Sequence, residues 1–313
     1  MDKHRGLKEV PMARYFMNLN DLGEDTAWLL VQQARGIPDA KAPTDFMAER
    51  TAALLFSREA LLERLCVTAA VRQMSGSVIY QGIGPWQQDL EGSYQRELLC
   101  QFGYFVDCLY LYGLPASSWA EAHWDVITFP VVNAGSPDGH PVHVLADVAC
   151  MLRYSRDSLK DVTIGWTGCA NGTLFSLVEG LRFFPYRLRV ALPPLIDRAP
   201  LQQAAEFHGV HIDFVNTPEE AVEGVNFVFA GCRGGLDKDT LPQWRISETL
   251  MSRAASNAHL LLGATPVDTV QVEKAVLCSP ASLLLLQAEN RLRVHKRVLH
   301  WLFDENEQAI NLI

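Results

Sequence analysis

The chain has 313 residues, 49% hydrophobic and 20% charged, which suits two folded soluble domains and excludes disorder as the main theme. Lys plus Arg number 27 against 36 Asp plus Glu, a net charge of −9, which argues against a nucleic-acid or anionic-membrane surface. A small anionic ligand stays open, because a pocket needs only a few local donors.

The elements follow in chain order. Ala52–Phe56 predicts a buried strand, and Arg58–Met74 a helix with Leu61, Leu62, Leu65 and Ala69 at helical spacing. Ser77–Gln81 is a second strand, Tyr94–Phe105 a helix, Asp107–Tyr112 a third strand and Trp119–His123 a short helix. Pro130–Val132 is a fourth strand and His140–Tyr154 a long helix. The pattern then restarts with strands at Val162–Thr167, Leu188–Leu192, Ile212–Val215, Phe227–Ala230, Leu260–Leu262 and Leu283–Leu286. Helices are expected between them at Thr173–Phe183, Leu201–His208, Pro218–Glu223 and Ser247–Ala255. Gln287–Phe303 closes the chain as an amphipathic helix with a basic outer face.

This alternation predicts an α/β protein with two doubly wound parallel-sheet domains joined by helices. The expected boundaries are 1–152, 153–286 and a C-terminal helix 287–313 returning to the first domain, with the polar stretch Tyr154–Asp161 as hinge. The N-terminus has no apolar h-region, and no run of about 18 apolar residues follows, so neither a secretory signal nor a membrane span is expected. The seven cysteines, at 66, 100, 108, 150, 169, 232 and 278, are scattered and never in C-x-x-C spacing. They read as free thiols in a reducing cytoplasm.

Ligands of open parallel sheets sit beyond the carboxyl ends of the strands, so the turns carry the chemistry. Ser57-Arg58-Glu59 opens the first helix, where free N–H groups attract anions; on spacing alone a plain cap with an exposed Arg is the favoured reading. His140-Pro141-Val142-His143 opens the long helix, and a His there can polarise a carbonyl. The H-x-x-H spacing puts both imidazoles on one face, but no third metal ligand is evident, so no metal is expected. Gly168-Cys169-Ala170-Asn171-Gly172 is not a dinucleotide loop. Gly231-Cys232-Arg233-Gly234-Gly235 is a turn whose glycines permit close approach to a ligand. Arg291, at the start of the last helix, can grip an anion in bidentate fashion or belong to a solvated face.

Together these elements and turns resemble the aspartate/ornithine carbamoyltransferases, closest to the ornithine branch, from about Ala13 to Phe303. The anchors are Tyr15-Phe16, Asn20-Asp21-Leu22, Pro130–Asn133, His140-Pro141, Leu145-Ala146-Asp147, Glu220-Ala221-Val222 with Gly224, and Ala288-Glu289-Asn290-Arg291-Leu292. Residues 1–11 look like an extension ahead of the usual family start. The resemblance implies a carbamoyl-phosphate-type first domain, an amino-acid-acceptor-type second domain, a homotrimer, and a reaction without metal or organic cofactor. It implies attack of an unprotonated amine on a carbamoyl carbonyl, catalysed by positioning and electrostatics.

Several family motifs are altered. The phosphate loop S-T-R-T-R aligns with Ala60-Leu61-Leu62-Glu63-Arg64, so its gripping Arg becomes Leu62 and only Arg64 survives. A second family Arg falls at Tyr112. H-P-x-Q becomes His140-Pro141-Val142-His143. The acceptor loop D-x-W-x-S-M-G aligns with residues 231–237 and loses its Asp and Ser. The Asn that reads the amino acid falls at Gly172, with Asn171 beside it. H-C-L-P becomes Gly263-Ala264-Thr265-Pro266, and the last motif keeps Arg291.

Each lost charged contact removes roughly 1.5–3 kcal/mol of anion binding. The expectation is therefore a divergent transferase in specialised metabolism, moving a carbamoyl or related group to an amino-acid-like acceptor other than ornithine. His140 and Arg291 are the catalytic candidates. Ser57, Arg58, Arg64, His143, Asn171, Cys232, Arg233 and Pro266 are the candidates for binding substrate. The donor is carbamoyl phosphate or another anion. The alternatives are a catalytically inactive relative that binds a metabolite or partner, different chemistry with Cys169 or Cys232 as nucleophile, and the standard ornithine reaction.

Overall fold

The computed structural model describes residues 14–56, 60–82, 93–231, 241–263 and 271–303. One sheet holds β1 (Tyr15–Phe16), β2 (Thr51–Phe56), β3 (Ser77–Gly82), β4 (Cys108–Tyr112) and β5 (Val131–Gly135), in the order β1-β5-β4-β2-β3. The other holds β6 (Thr163–Thr167), β7 (Arg187–Ala191), β8 (Asp213–Val215), β9 (Phe227–Ala230) and β10 (His259–Leu262), in the order β10-β9-β6-β7-β8. All of these strand pairs are parallel. Parallel neighbours need crossover connections, which helices supply. They are α1 (Gly23–Arg35), α2 (Leu61–Gln73), α3 (Ser93–Phe102), α4 (Ala116–His123) and α5 (Pro141–Tyr154) in the first half. The second half has α6 (Gly172–Gly180), α7 (Ala199–His208), α8 (Pro218–Val222), α9 (Glu248–Met251) and α10 (Lys274–Leu277), and α11 (Leu284–Phe303) ends the described chain. The α/β, doubly wound architecture is that expected from the sequence.

Central strands read as unbroken apolar runs because helices cover both faces. Ala52 to Phe56 are all buried between β3 and β4. β3 is an edge strand, and its Ile79 and Tyr80 are exposed.

Four local expectations are corrected. Leu283–Leu286 is not a strand; it leads into α11, where Leu283 is buried and Leu285 faces out, the split of a helix face. Ser247–Ala255 shortens to one turn, Glu248–Met251, whose first turn is capped by the Ser247 hydroxyl accepting from the Leu250 N–H. In α2 the leucines at 61, 62 and 65 are exposed, whereas Glu63, Val67, Ala70 and Val71 are buried. The stripe at 63, 67, 70 and 71 has the same helical spacing, and it is the one that meets α11. The basic residues of α11 do not form an outer face: Arg291, Arg293, His295 and Lys296 are all buried. Lys296 Nζ donates to the carbonyls of Ala40 and Ala42, both at 2.8 Å, and Arg293 pairs with Glu289 and Asn290. β1, α1 and α10 are additions to the sequence reading; α1 buries Ala27, Leu30, Val31 and Ala34 at helical spacing.

α11 packs on α1, α2 and α5, the helices of the first half. The halves also meet where α6 begins. At Gly172 a Cβ would stand 2.1 Å from the Ser136 carbonyl oxygen, so the close approach admits only glycine. Further along α6, the Glu179 carboxylate accepts from the backbone N–H groups of Leu19 (3.0 Å) and Asn20 (2.9 Å).

Candidate active site

Two facing helices build a buried polar ladder at the carboxyl end of the first sheet. On α5, His143 and Asp147 are four residues apart; on α11, Gln287, Arg291 and His295 are spaced by four. Residues at that spacing share a helix face. Gln287 Nε2 donates to Asp147 Oδ1 at 2.7 Å, and Arg291 Nη1 lies 3.3 Å from His143 Nε2. His295 Nε2 lies 3.1 Å from Glu63 Oε1, and His143 Nε2 lies 2.8 Å from Glu63 Oε2. Glu63 is thus held through both oxygens.

His140 caps the start of α5, with Pro141 in the first turn. Its backbone N–H donates to Ser176 Oγ at 2.8 Å, tying it to α6. Its ring stacks on that of His143, with centroids 3.4 Å apart and planes 19° from parallel. Gly135, at φ +146°, ends β5 beneath it. A Cβ there would stand 2.5 Å from His140 Nε2, so glycine is what lets the ring lie against the strand end. His140 Nδ1 is buried and has no hydrogen-bond partner among the described residues.

Charge in this cluster follows from burial and neighbours. Burial opposes ionisation of Glu63, but the His143 and His295 rings bonded to its two oxygens outweigh it and hold the carboxyl well below its usual range. Burial pushes His143 down to about 4, with Glu63 opposing and Arg291 reinforcing. Burial and the neighbouring His143 push His140 well below the ordinary imidazole range. Near neutral pH the cluster is therefore Glu63 as anion, Arg291 as cation, and two neutral imidazoles. A neutral His143 that donates Nε2–H to Glu63 cannot accept from Arg291 at the same atom. The 2.8 Å contact is the hydrogen bond, and the guanidinium is a close charged neighbour. Asp147 differs: burial pushes it up to about 7, and its Oδ2 has no partner among the described residues.

The structure brings His140, His143 and Arg291 together. It places Arg64 elsewhere, its guanidinium 4.7 Å from the centroid of the Tyr80 ring. Asn171 is the N-cap of α6: its Oδ1 accepts from Thr173 N and Leu174 N at 3.0 and 3.2 Å, and its Nδ2 donates to the Gly263 carbonyl at 2.8 Å. Leu62 is 44% exposed, so it does not fill the cluster with hydrocarbon. Cys169 is buried in an apolar cluster with Ala191, Ala221 and Trp244, a packing role. Ser57, Arg58, Cys232, Arg233 and Pro266 lie outside the described residues.

Sequence reasoning missed Glu63, His295, Gln287 and Asp147 as partners. For His295, Gln287 and Asp147 the signal was the four-residue spacing of polar groups on α5 and α11, whereas Glu63, on α2, carries no such signal.

The chain has two doubly wound α/β halves and gathers histidine, arginine and carboxylate beyond the strand ends of the first, where folds of this class hold small ligands. Residues 14–153 match the carbamoyl-P binding domain, and residues 160–302 the Asp/Orn binding domain, of aspartate/ornithine carbamoyltransferase; the chain belongs to that family. Among similar proteins, the ornithine carbamoyltransferase of Nitratidesulfovibrio vulgaris (strain Hildenborough) is 28% identical over 309 residues, spanning 94% of this chain and all of that one. That of Caulobacter vibrioides is also 28% identical, over 93% of this chain and 97% of its own. The crystal structure of ornithine carbamoyltransferase from Thermus thermophilus superposes with a TM-score of 0.79 at 22% identity, covering 93% of this chain and 99% of that one. No helix among the described residues is long and apolar enough to cross a membrane.

Proposed function

We propose that this chain transfers a carbamoyl or related group from an anionic donor to the amine of an amino-acid-like acceptor other than ornithine. The observation that carries the reading is Gly172. The family's acceptor-reading Asn falls there, yet a Cβ at that position would stand 2.1 Å from the Ser136 carbonyl. The neighbouring Asn171 is occupied in capping α6 and binding Gly263. An acceptor held by the standard contacts therefore has no place for one of them.

In this reading the unprotonated amine attacks the carbamoyl carbon. The C–N bond forms, the C–O bond to phosphate breaks, phosphate leaves with the electron pair, and the amine proton passes to solvent. His140 is placed to polarise the carbonyl as a neutral imidazole, and Arg291 to hold an oxyanion or carboxylate. The protein is read as a cytoplasmic homotrimer. The free cysteines among the described residues and the exposed apolar side chains of Leu61, Leu62, Leu65, Ile79 and Tyr80 support those two points. Sedimentation equilibrium tests the assembly.

The activity test incubates the purified protein with carbamoyl phosphate and a panel of amino acids, with ureido products read by mass spectrometry. The expected product comes from an acceptor other than ornithine and is lost in His140→Ala. Turnover of ornithine as the preferred acceptor overturns the reading. Thermal stabilisation by an amino acid with no product from any acceptor establishes instead an inactive relative that binds a metabolite.

A further inference from the structure

The family reaction needs no metal, yet one feature of this chain has the composition of a metal centre. A carboxylate oxygen of Glu63 and one ring nitrogen each of His140 and His143 lie within 4.8 Å of one another. We propose that Glu63, His140 and His143 form a binding site for one divalent transition-metal ion of the zinc class. The inference goes beyond the transfer reaction and is tested without it.

The ligand types are those of a zinc site, two imidazoles and a carboxylate. Ligands about 2.0–2.2 Å from a tetrahedral ion stand roughly 3.3–3.6 Å from each other, so side-chain shifts of about an ångström close the triad. His140, the N-cap of α5, and His143, in its first turn, stack ring on ring and bring one nitrogen each within 4.8 Å. The carboxylate comes from a different helix, which converts a pair on one face into a three-point cage. Among the described residues the buried His140 Nδ1 has no hydrogen-bond partner, a lone pair or N–H that they leave unused. A buried polar atom left so is uncommon and calls for a ligand.

The surroundings support the cage. His295 Nε2, 3.1 Å from Glu63 Oε1, holds that oxygen and leaves Oε2 turned to His143. A hydrogen bond to the second oxygen of a ligating carboxylate fixes its orientation, the usual outer-shell arrangement of metal sites. His140, half-buried among buried partners, marks the side from which an ion enters. The charge also fits the altered sequence. The family's phosphate-gripping Arg is Leu62 here, and a second family Arg is Tyr112. A divalent ion beside Arg291 outweighs the Glu63 charge and makes the pocket positive, the sign an anionic donor requires.

The test uses tag-free full-length protein stripped with chelator and titrated with Co²⁺ and Zn²⁺ alone. The expected result is one ion per chain and a visible Co²⁺ spectrum of tetrahedral intensity, displaced by Zn²⁺. His143→Gln and His140→Gln should each weaken Zn²⁺ binding by 100-fold or more, and His295→Gln by about 10-fold. His211→Gln, at an exposed histidine, should change nothing. A Co²⁺ spectrum of the octahedral aquo type with the unaltered protein overturns the proposal, and so does Zn²⁺ affinity unchanged in the His140→Gln/His143→Gln double variant. The cobalt spectrum needs no variant, so a misfolded mutant does not remove the test. Because no substrate is present, failure here leaves the acceptor assignment standing, and failure of that assignment leaves the metal site standing.

Discussion

Glu63 and Asp147 are both carboxylates buried in the first half, and both face the last helix, but the protein holds them in opposite states. Glu63 meets two imidazoles, with the Arg291 guanidinium close behind, and stays ionised. Asp147 meets a neutral amide, Gln287, through one oxygen and none of the described residues through the other, and burial drives it towards the acid form. Burial alone raises both; the difference lies in what the last helix brings to each. At position 287 it brings an amide, at 291 a cation, at 295 an imidazole. One helix face thus grades from a neutral packing contact to a charged site within two turns. A buried carboxylate kept charged beside a neutral His143 retains lone pairs for chemistry, whereas one kept neutral only packs.

The largest expected effect breaks the charged member. Glu63→Leu removes the anion and leaves the buried ring nitrogens of His143 and His295 without the acceptor they share. Each lost hydrogen bond to a buried charged group costs about 1.5–3 kcal/mol, so the two together cost about 3–6 kcal/mol. Denaturant unfolding at neutral pH should show a loss of that size; a loss under about 1 kcal/mol would mean that Glu63 carries no net charge in the fold.

The neutral member makes its own prediction through pH. Asp147 is raised from 3.8 to about 7 in the fold. A raised carboxyl stabilises fully below its unfolded value, and that contribution is lost as pH climbs through the folded one. The unaltered protein should lose up to about 4 kcal/mol from this group between about pH 4 and 7. Asp147→Asn never ionises, so its stability should match the parent near pH 4 and exceed it increasingly up to pH 8. Parallel stability profiles for the two proteins would show that Asp147 is ionised throughout, like Glu63, and would erase the contrast.

How much of this contrast could be read in advance follows from period and sign. Strands such as β2 and β9 are legible because burial on both faces leaves an unbroken apolar run. The leucines at 283–286 are not legible as helix, because four apolar residues in a row fit either period. His140 and His143 are legible as a pair, since an H-x-x-H turn declares itself within one segment. Glu63 is not: its partners lie 80 and 232 residues away. In α2 the sequence offers two stripes of helical spacing, and the more hydrophobic one, Leu61, Leu62 and Leu65, is the one left outside. The same inversion hid the inward basic face of α11. Amphipathic reasoning assumes that polarity points to water, and the site is where the chain departs from that rule.

A smaller effect sets the scale for neutral hydrogen bonds. Asn171 accepts from two N–H groups at the start of α6 and is itself half-buried. Asn171→Ala should cost about 1 kcal/mol, the ordinary worth of an N-cap. A loss approaching that of Glu63→Leu would mean that the Gly263 contact, and with it the joint between the α6 turn and the end of β10, carries more than a cap does.

The smallest effect comes from the same chemistry as the Glu63 cluster placed in water. Asp157 pairs with Arg35 at the surface, its side chain 67% exposed. Asp157 also sits at φ +62°, a conformation that Asp and Asn tolerate better than other side chains. Asp157→Asn therefore removes the charge without adding backbone strain, which Asp157→Ala would not achieve. Water already solvates both ions, and salt shortens their reach from about 10 Å at 0.1 M to about 3 Å at 1 M. The expected loss is within about 0.5 kcal/mol at low salt and should vanish at 1 M. The Glu63→Leu loss should persist at 1 M, because mobile ions do not enter a cluster whose carboxylate is 3% exposed. Measuring both variants at both salt concentrations separates the two environments directly. If salt erased both losses alike, the Glu63 cluster would be open to solvent, and neither a guarded charge nor a metal cage could be built on it.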